Sequence, residues 1–187
     1  MNNYRYQKSF QFSNKAEDVS SVLSNCMKHI QESEELRVVP EDIQSRVKWA
    51  LTELLINGAK HAGTTETLFH FKLREKSLII EKEDFGNPLL LKVNGNQRLS
   101  WPVAAPFLNQ HFDVYENGMD SLRIYTETSN SAFFLIEEIE DVEMPELLIN
   151  TSEHFGLMII AKASDHFTYS LDQQTGRNIF RITFNLA

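Results

Sequence analysis

Glu53, Asn57 and Lys60 fall on one stretch of chain with helical spacing. At ~100° per residue they lie within roughly 60° of one another. They run along the border of an apolar stripe formed by Ile43, Val47, Ala50, Leu51, Leu54 and Gly58. A carboxylate and an amide oxygen four residues apart can share a hard cation and its waters, because Mg²⁺ takes oxygen ligands. A lysine one turn on can neutralise phosphate charge. The same trio also describes an ordinary solvated helix border, and short patterns recur by chance. Two further groups carry chemistry. Glu83-Asp84-Phe85-Gly86 closes an apolar strand, so Asp84 can point a carboxylate into a cleft while Gly86 allows close approach of a flat ligand. His154-Phe155-Gly156-Leu157-Met158-Ile159-Ile160 opens a helix, whose free N–H groups suit an anion.

The elements that must position these residues are readable from their periods. Tyr4, Tyr6, Phe10 and Phe12 alternate with polar residues, which predicts a half-buried strand over 4–12. Ala16, Val19, Leu23, Cys26, Met27 and Ile30 predict a helix over 15–32, capped by Ser13 or Asn14. A second helix runs from Pro40 to His61, with Glu41 and Asp42 at the positive end of its dipole. A hairpin follows, Phe69 to Leu73 and Leu78 to Asp84. Residues 88–120 are less regular, broken by Pro102 and Pro106 and turned at Asn94-Gly95 and Asn117-Gly118. A second hairpin pairs 122–128 with 132–139. Thr151 or Ser152 caps a third helix over 153–164, and a terminal hairpin pairs 167–171 with 179–186 around Gly176. The order predicts an α+β two-layer sandwich: a mainly antiparallel mixed sheet with about three helices on one face.

Composition excludes several classes. At 187 residues the chain is expected to form a single domain. The net charge of −8 argues against bulk nucleic-acid binding, which needs a basic surface. Cys26 is the one cysteine and reads as core, so no internal disulfide framework exists and a reducing compartment is indicated. No apolar run approaches the ~18 residues of a membrane span, and Met1 to Phe12 lacks the apolar region of a leader. These features predict a cytoplasmic protein. His29, His70, His111 and His166 show no metal-ligand spacing, and Phe133 to Ile136 reads as sheet core.

Taken in order, the three groups resemble the GHKL ATPase superfamily of histidine kinases, DNA gyrase, mismatch-repair ATPases and the bacterial anti-sigma-factor serine kinases. Residues 53–62 resemble its N box, Asp84-Phe85-Gly86 its first glycine box and residues 155–160 its second, with Asp165 and Tyr169 downstream. The likeness is nearest to the anti-sigma-factor kinases, where a strand and a helix also precede the N box. It covers roughly residues 4–87 and 153–187.

The resemblance implies ATP and Mg²⁺ as cofactors. Asn57 would hold the metal and Glu53 would serve as general base. Lys60 would sit near the phosphates, with His61 as a competing candidate. Asp84 would accept the adenine amino group, Gly86 would make room for the ring, and Gly156 would offer backbone N–H groups to phosphate. It implies a Mg-ATP-dependent serine/threonine protein kinase or anti-sigma-factor-like regulator. Its partner would be a sigma-factor-like or anti-sigma-antagonist-like protein, and a homodimer stays open by the same analogy. The alternative is a non-catalytic module of this fold that binds a protein through its insertion.

Three departures bear on that choice. His154 stands where the family has glycine, so its side chain either obstructs the lid or reaches the phosphate. Asn87-Pro88 replaces a further glycine of the first box. Residues 88–152, the region between the glycine boxes, form a long insertion. They hold Lys92, Arg98 and Arg123 against ten acidic residues, whereas the rest of the chain is almost neutral. This acidity either faces a basic partner or keeps the insertion soluble.

Overall fold

The computed structural model describes residues 4–139 and 154–186. Its backbone is an eight-stranded sheet with three helices over one face and a small hairpin at one end. The strands are β1 (Tyr6–Ser13), β2 (Glu66–Leu73), β3 (Ser77–Asp84), β6 (His111–Glu116), β7 (Asp120–Tyr125), β8 (Ser131–Glu138), β9 (His166–Asp172) and β10 (Arg177–Asn185). Their spatial order is β1-β2-β3-β10-β9-β8-β7-β6. The remaining hairpin is β4 (Leu90–Val93) and β5 (Gln97–Ser100). The helices are α1 (Val19–Glu32), α2 (Glu41–His61) and α3 (Phe155–Ala163).

This is the expected α+β arrangement of an antiparallel sheet under three helices. The expectation of a mixed sheet is corrected: every pairing among the described strands is antiparallel. The reason is that most neighbours are joined by tight turns, and β10 enters between β3 and β9 running against both.

Period two sets the core face of the sheet. Phe69, Phe71 and Leu73 of β2, Leu78 and Ile80 of β3, Ile182 and Phe184 of β10, and Phe167 and Tyr169 of β9 are all buried. Ile43, Val47, Ala50, Leu51 and Leu54 of α2 and Leu157, Met158 and Ile160 of α3 join the same cluster. Non-polar burial of this kind stabilises by about 1.5–3 kcal/mol per large side chain. Helices α2 and α3 are tied at one end by Arg46, which donates from Nε to the Ala163 carbonyl at 2.9 Å and pairs with Asp165 at 2.9 Å.

Residues 88–120 are more ordered than their sequence predicts. They contain β4, β5 and β6, and Leu91, Val93, Leu99 and Trp101 enter the core cluster. The β4–β5 turn is the three-residue Asn94-Gly95-Asn96, with Asn94 and Gly95 in the left-handed region at φ of 47° and 83°. Asn94 also locks the hairpin to β6: its backbone N–H donates to the Asp113 carbonyl at 2.8 Å, and its Oδ1 accepts from Asp113 N at 2.9 Å.

Two predicted caps are placed differently. Asn14 does not cap α1; its amide donates to the carbonyls of Thr64 and Glu66 at 3.1 and 3.3 Å, fastening β1 to the start of β2. Helix α3 begins at Phe155, so His154 holds the cap position. Thr151, Ser152, Glu153 and the acidic Glu140, Asp141, Glu143 and Glu146 lie outside the described residues. No described helix is long and apolar enough to cross a membrane.

Candidate functional site

The predicted residues divide into two groups, one at the meeting of α2 with α3 and one at the ends of β3 and β10. At the first, α2 presents Glu53 and Asn57 on the same edge, one turn apart, and the start of α3 comes against them. A methyl group at Gly156 would lie 2.5 Å from Glu53 Oε2 and 3.6 Å from Asn57 Oδ1. The bare glycine therefore lets a carboxylate and an amide oxygen close over the helix N-terminus. Neither side chain makes a hydrogen bond among the described residues, and both are half-buried. Burial pushes the Glu53 carboxyl above its ordinary range, while the charge of Lys60 opposes that rise. Lys60 and His61 are exposed in the last turn of α2.

His154 takes φ 75°, the left-handed conformation that glycine adopts at least cost. The backbone thus keeps a glycine-like turn into α3. The His154 side chain swings onto the insertion, where its Nε2 accepts from the Lys92 backbone N–H at 3.2 Å. In consequence β4 is bonded to the start of α3.

The second group is packed and saturated. Asp84 stands opposite Asn178 in the β3–β10 register, and Lys82 stands opposite Phe180. Lys82 Nζ donates to Asp84 Oδ2, and the two side chains are each 3% exposed. Asp84 Oδ1 accepts from Gly86 N at 3.0 Å and from the Asn178 amide at 3.2 Å. Asn178 also donates to the Gly86 carbonyl at 3.1 Å and accepts from the Tyr169 hydroxyl at 2.6 Å. The Tyr169 oxygen in turn accepts from Leu89 N at 3.1 Å, and Trp101 meets the ring edge-to-face. Burial pushes the Tyr169 phenol up to about 12, so it stays a donor at every physiological pH.

Gly86 has a backbone reason of its own. A Cβ there would fall 1.7 Å from the Ala62 carbonyl oxygen, and Asn87 N donates to that carbonyl at 2.7 Å. The strand end is thereby pressed onto the C-terminus of α2. Asp165 lies apart from both groups: it pairs with Arg46 and accepts from Asn185 N at 2.7 Å.

Sequence reasoning missed Lys82 and Asn178. A signal for Lys82 existed. Leu78, Ile80, Lys82 and Asp84 share one parity, so a strand that buries the first two must bury the charged pair as well. Asn178 had no such signal, because its register depends on which strand β10 joins.

Comparison with known proteins finds no matching family model and no matching curated protein. Among the described residues no cluster of three or more His, Cys, Asp or Glu is arranged around a common point. The oxygen donors that fit a magnesium–phosphate group are Glu53 and Asn57. Neither forms a hydrogen bond among the described residues, and the end of Glu53 lies against the face where Gly156 lacks a Cβ.

Proposed function

We propose that this chain is a cytoplasmic nucleotide-binding regulator, a Mg-ATP-dependent serine/threonine kinase or anti-sigma-factor-like protein acting on a protein partner. The observation that carries this reading is the convergence of Glu53 and Asn57 on the first turn of α3 at Gly156. Phosphoryl transfer depends mostly on positioning and charge neutralisation, and this edge offers both. Asn57 would hold Mg²⁺, which would offset phosphate charge. Glu53 would take the proton of the attacking hydroxyl. Its raised pKa brings it nearer the operating pH, as a general base requires. The start of α3 lies against the same edge, and a helix N-terminus favours an anion. Lys60, in the last turn of α2, would supply a positive charge, and His61 beside it a ring nitrogen.

A second reading is favoured by a specific observation. The carboxylate that an adenine amino group would need is already paired with Lys82. In this reading the frame is a non-catalytic module, and the partner docks on the acidic insertion.

A thermal-shift titration separates the two. Mg-ATP at ~100 times its Kd should stabilise by about 2.7 kcal/mol, or roughly 5–10 °C. Asn57→Ala should remove most of that shift. Glu53→Ala should keep the shift and slow turnover by ~10²–10⁴. No shift at millimolar Mg-ATP eliminates the nucleotide reading and leaves the module.

A further inference from the structure

The face of the sheet turned away from the helices brings three side chains of β1, β2 and β3 into one row. Tyr6, Phe10 and Phe12 of β1, Phe69 and Phe71 of β2, and Leu78 and Ile80 of β3 pack into the core cluster. Successive side chains of a strand alternate, so Ser9, His70 and Glu83 project from the opposite face. Ser9 and His70 stand directly opposite in the β1–β2 register, and Glu83 lies one diagonal step away on β3. Ser9 Oγ is 2.7 Å from His70 Nδ1, and His70 Nε2 is 3.3 Å from Glu83 Oε2. Arg177 Nη1 lies 3.8 Å from the same Glu83 oxygen. An ionised carboxylate can only accept, so in the neutral ring Nε2 carries the proton and Nδ1 is the acceptor. The Ser9 hydroxyl must then donate to the ring. The neighbouring row is built differently. There Glu81 is closed between Lys72 at 2.5 Å and Arg181 at 2.6 Å, two cations that only donate. The first row instead ends on an exposed serine whose proton is aimed at a base, with His70 and Glu83 only 16% and 13% exposed beneath it. A nucleophile bonded to a base that a third group orients is the arrangement that activates serine.

We propose that Ser9, His70 and Glu83 form an acyl-transfer site for activated carboxylic esters. It is independent of the nucleotide reading, which rests on other residues. Ser9 Oγ bonds to the ester carbonyl carbon while His70 Nδ1 takes the hydroxyl proton. The bond from that carbon to the leaving oxygen breaks, and His70 returns the proton to the departing alcohol. Water then attacks the acyl-serine and gives a proton to His70. The Ser9–carbon bond breaks, the carboxylic acid leaves, and Oγ recovers its proton. Glu83 reaches the reaction only through His70, as a positioning residue that holds the tautomer and steadies the imidazolium. Ser9 is exposed on an edge strand of the sheet. A small ester with a good leaving group therefore suits the site better than a substrate that needs an enclosing cleft.

The test labels the full chain with a fluorophosphonate, a probe for activated serines, and maps the modified residue by fragment mass. The label should fall on Ser9 and not on Ser13, which lies on the same face of the same strand. p-Nitrophenyl acetate should be hydrolysed by the wild-type chain, and Ser9→Ala should remove that turnover. His70→Asn should slow labelling about a hundredfold, the loss of a general base. Glu83→Gln lets an amide donate to Nε2 and reverses the tautomer. It should lower the maximal labelling rate by about tenfold or more and leave the half-saturating probe concentration unchanged. A merely structural role would not give that split. No label on Ser9, or equal label on Ser13, overturns the proposal. So does an unchanged labelling rate in a folded His70→Asn or Glu83→Gln chain. If His70→Asn fails to fold, the wild-type contrast between Ser9 and Ser13 decides alone.

Discussion

The α2–α3 edge and the β3–β10 end treat their carboxylates in opposite ways. Glu53 is half-buried, forms no hydrogen bond among the described residues, and is pushed toward its neutral form. Asp84 is almost wholly buried and has three partners, one of them a cation. A protein folding for stability alone would satisfy both. One carboxylate is thus left without a hydrogen bond at the start of a helix, while the other is held within the sheet. The saturated end reads as part of the scaffold that holds the open edge.

The largest expected effect breaks the saturated end. Lys82→Met leaves a buried carboxylate without its counter-ion, which costs about 3–5 kcal/mol. By the scaling for a chain of this size, the melting temperature drops by roughly 6–20 °C. Adding Asp84→Asn should recover most of that loss, since removing both charges of a buried pair is close to neutral. A single-variant cost below about 1 kcal/mol would show that the pair is not held dry.

The next effect sharpens the open edge. Gly156→Ala places its methyl group against the mobile end of Glu53 rather than against backbone, and helix propensity favours alanine by up to about 1 kcal/mol. Stability should stay within about 1 kcal/mol of wild type, while Mg-nucleotide affinity falls at least tenfold. Unchanged affinity would separate Gly156 from the ligand. The contrast with the first variant is the point: one lowers stability and the other lowers only affinity.

The smallest effect is a pH dependence at Glu53. Its folded pKa is raised, so the stability it contributes is fully present below the unfolded value near 4.5 and is lost as pH rises through the folded one. Glu53→Gln should therefore melt at or slightly above the wild-type temperature near pH 7, with the difference closing as pH falls below about 4.5. A variant less stable than wild type at pH 7 would mean that the ionised carboxylate is favoured, for example by the α3 dipole.

Much of the frame was legible because it is periodic. The alternation of Phe69, Phe71 and Leu73, and the stripe from Ile43 to Gly58, placed β2 and α2 within a residue or three of their observed limits. The shortest strands were not legible. β4 and β5 are four residues each, too brief for a period to declare itself. Helical spacing put Glu53 and Asn57 on one border, but their meeting with Gly156 depends on how α2 and α3 pack, which no local pattern carries. His154 was expected to obstruct the lid or reach a phosphate; its side chain instead accepts from Lys92 N, and its backbone takes the left-handed turn. The parity of Lys82 was visible and its consequence was not drawn, since a lysine between Glu81 and Glu83 looks solvated.

The β3–β10 register has a consequence in time. Asp84 and Asn178 are 94 residues apart in sequence, whereas Lys82 is two residues from the same carboxylate. Contacts so distant carry a large loop-closure cost and form late, while neighbours in one strand meet almost at once. During synthesis the lysine is therefore on hand for Asp84 while the asparagine has still to be made. The carboxylate need not wait bare beside an unfinished sheet. In that interval β3 presents a free edge, and the charges it carries at Glu81 and Glu83 help keep that edge from pairing with the wrong strand.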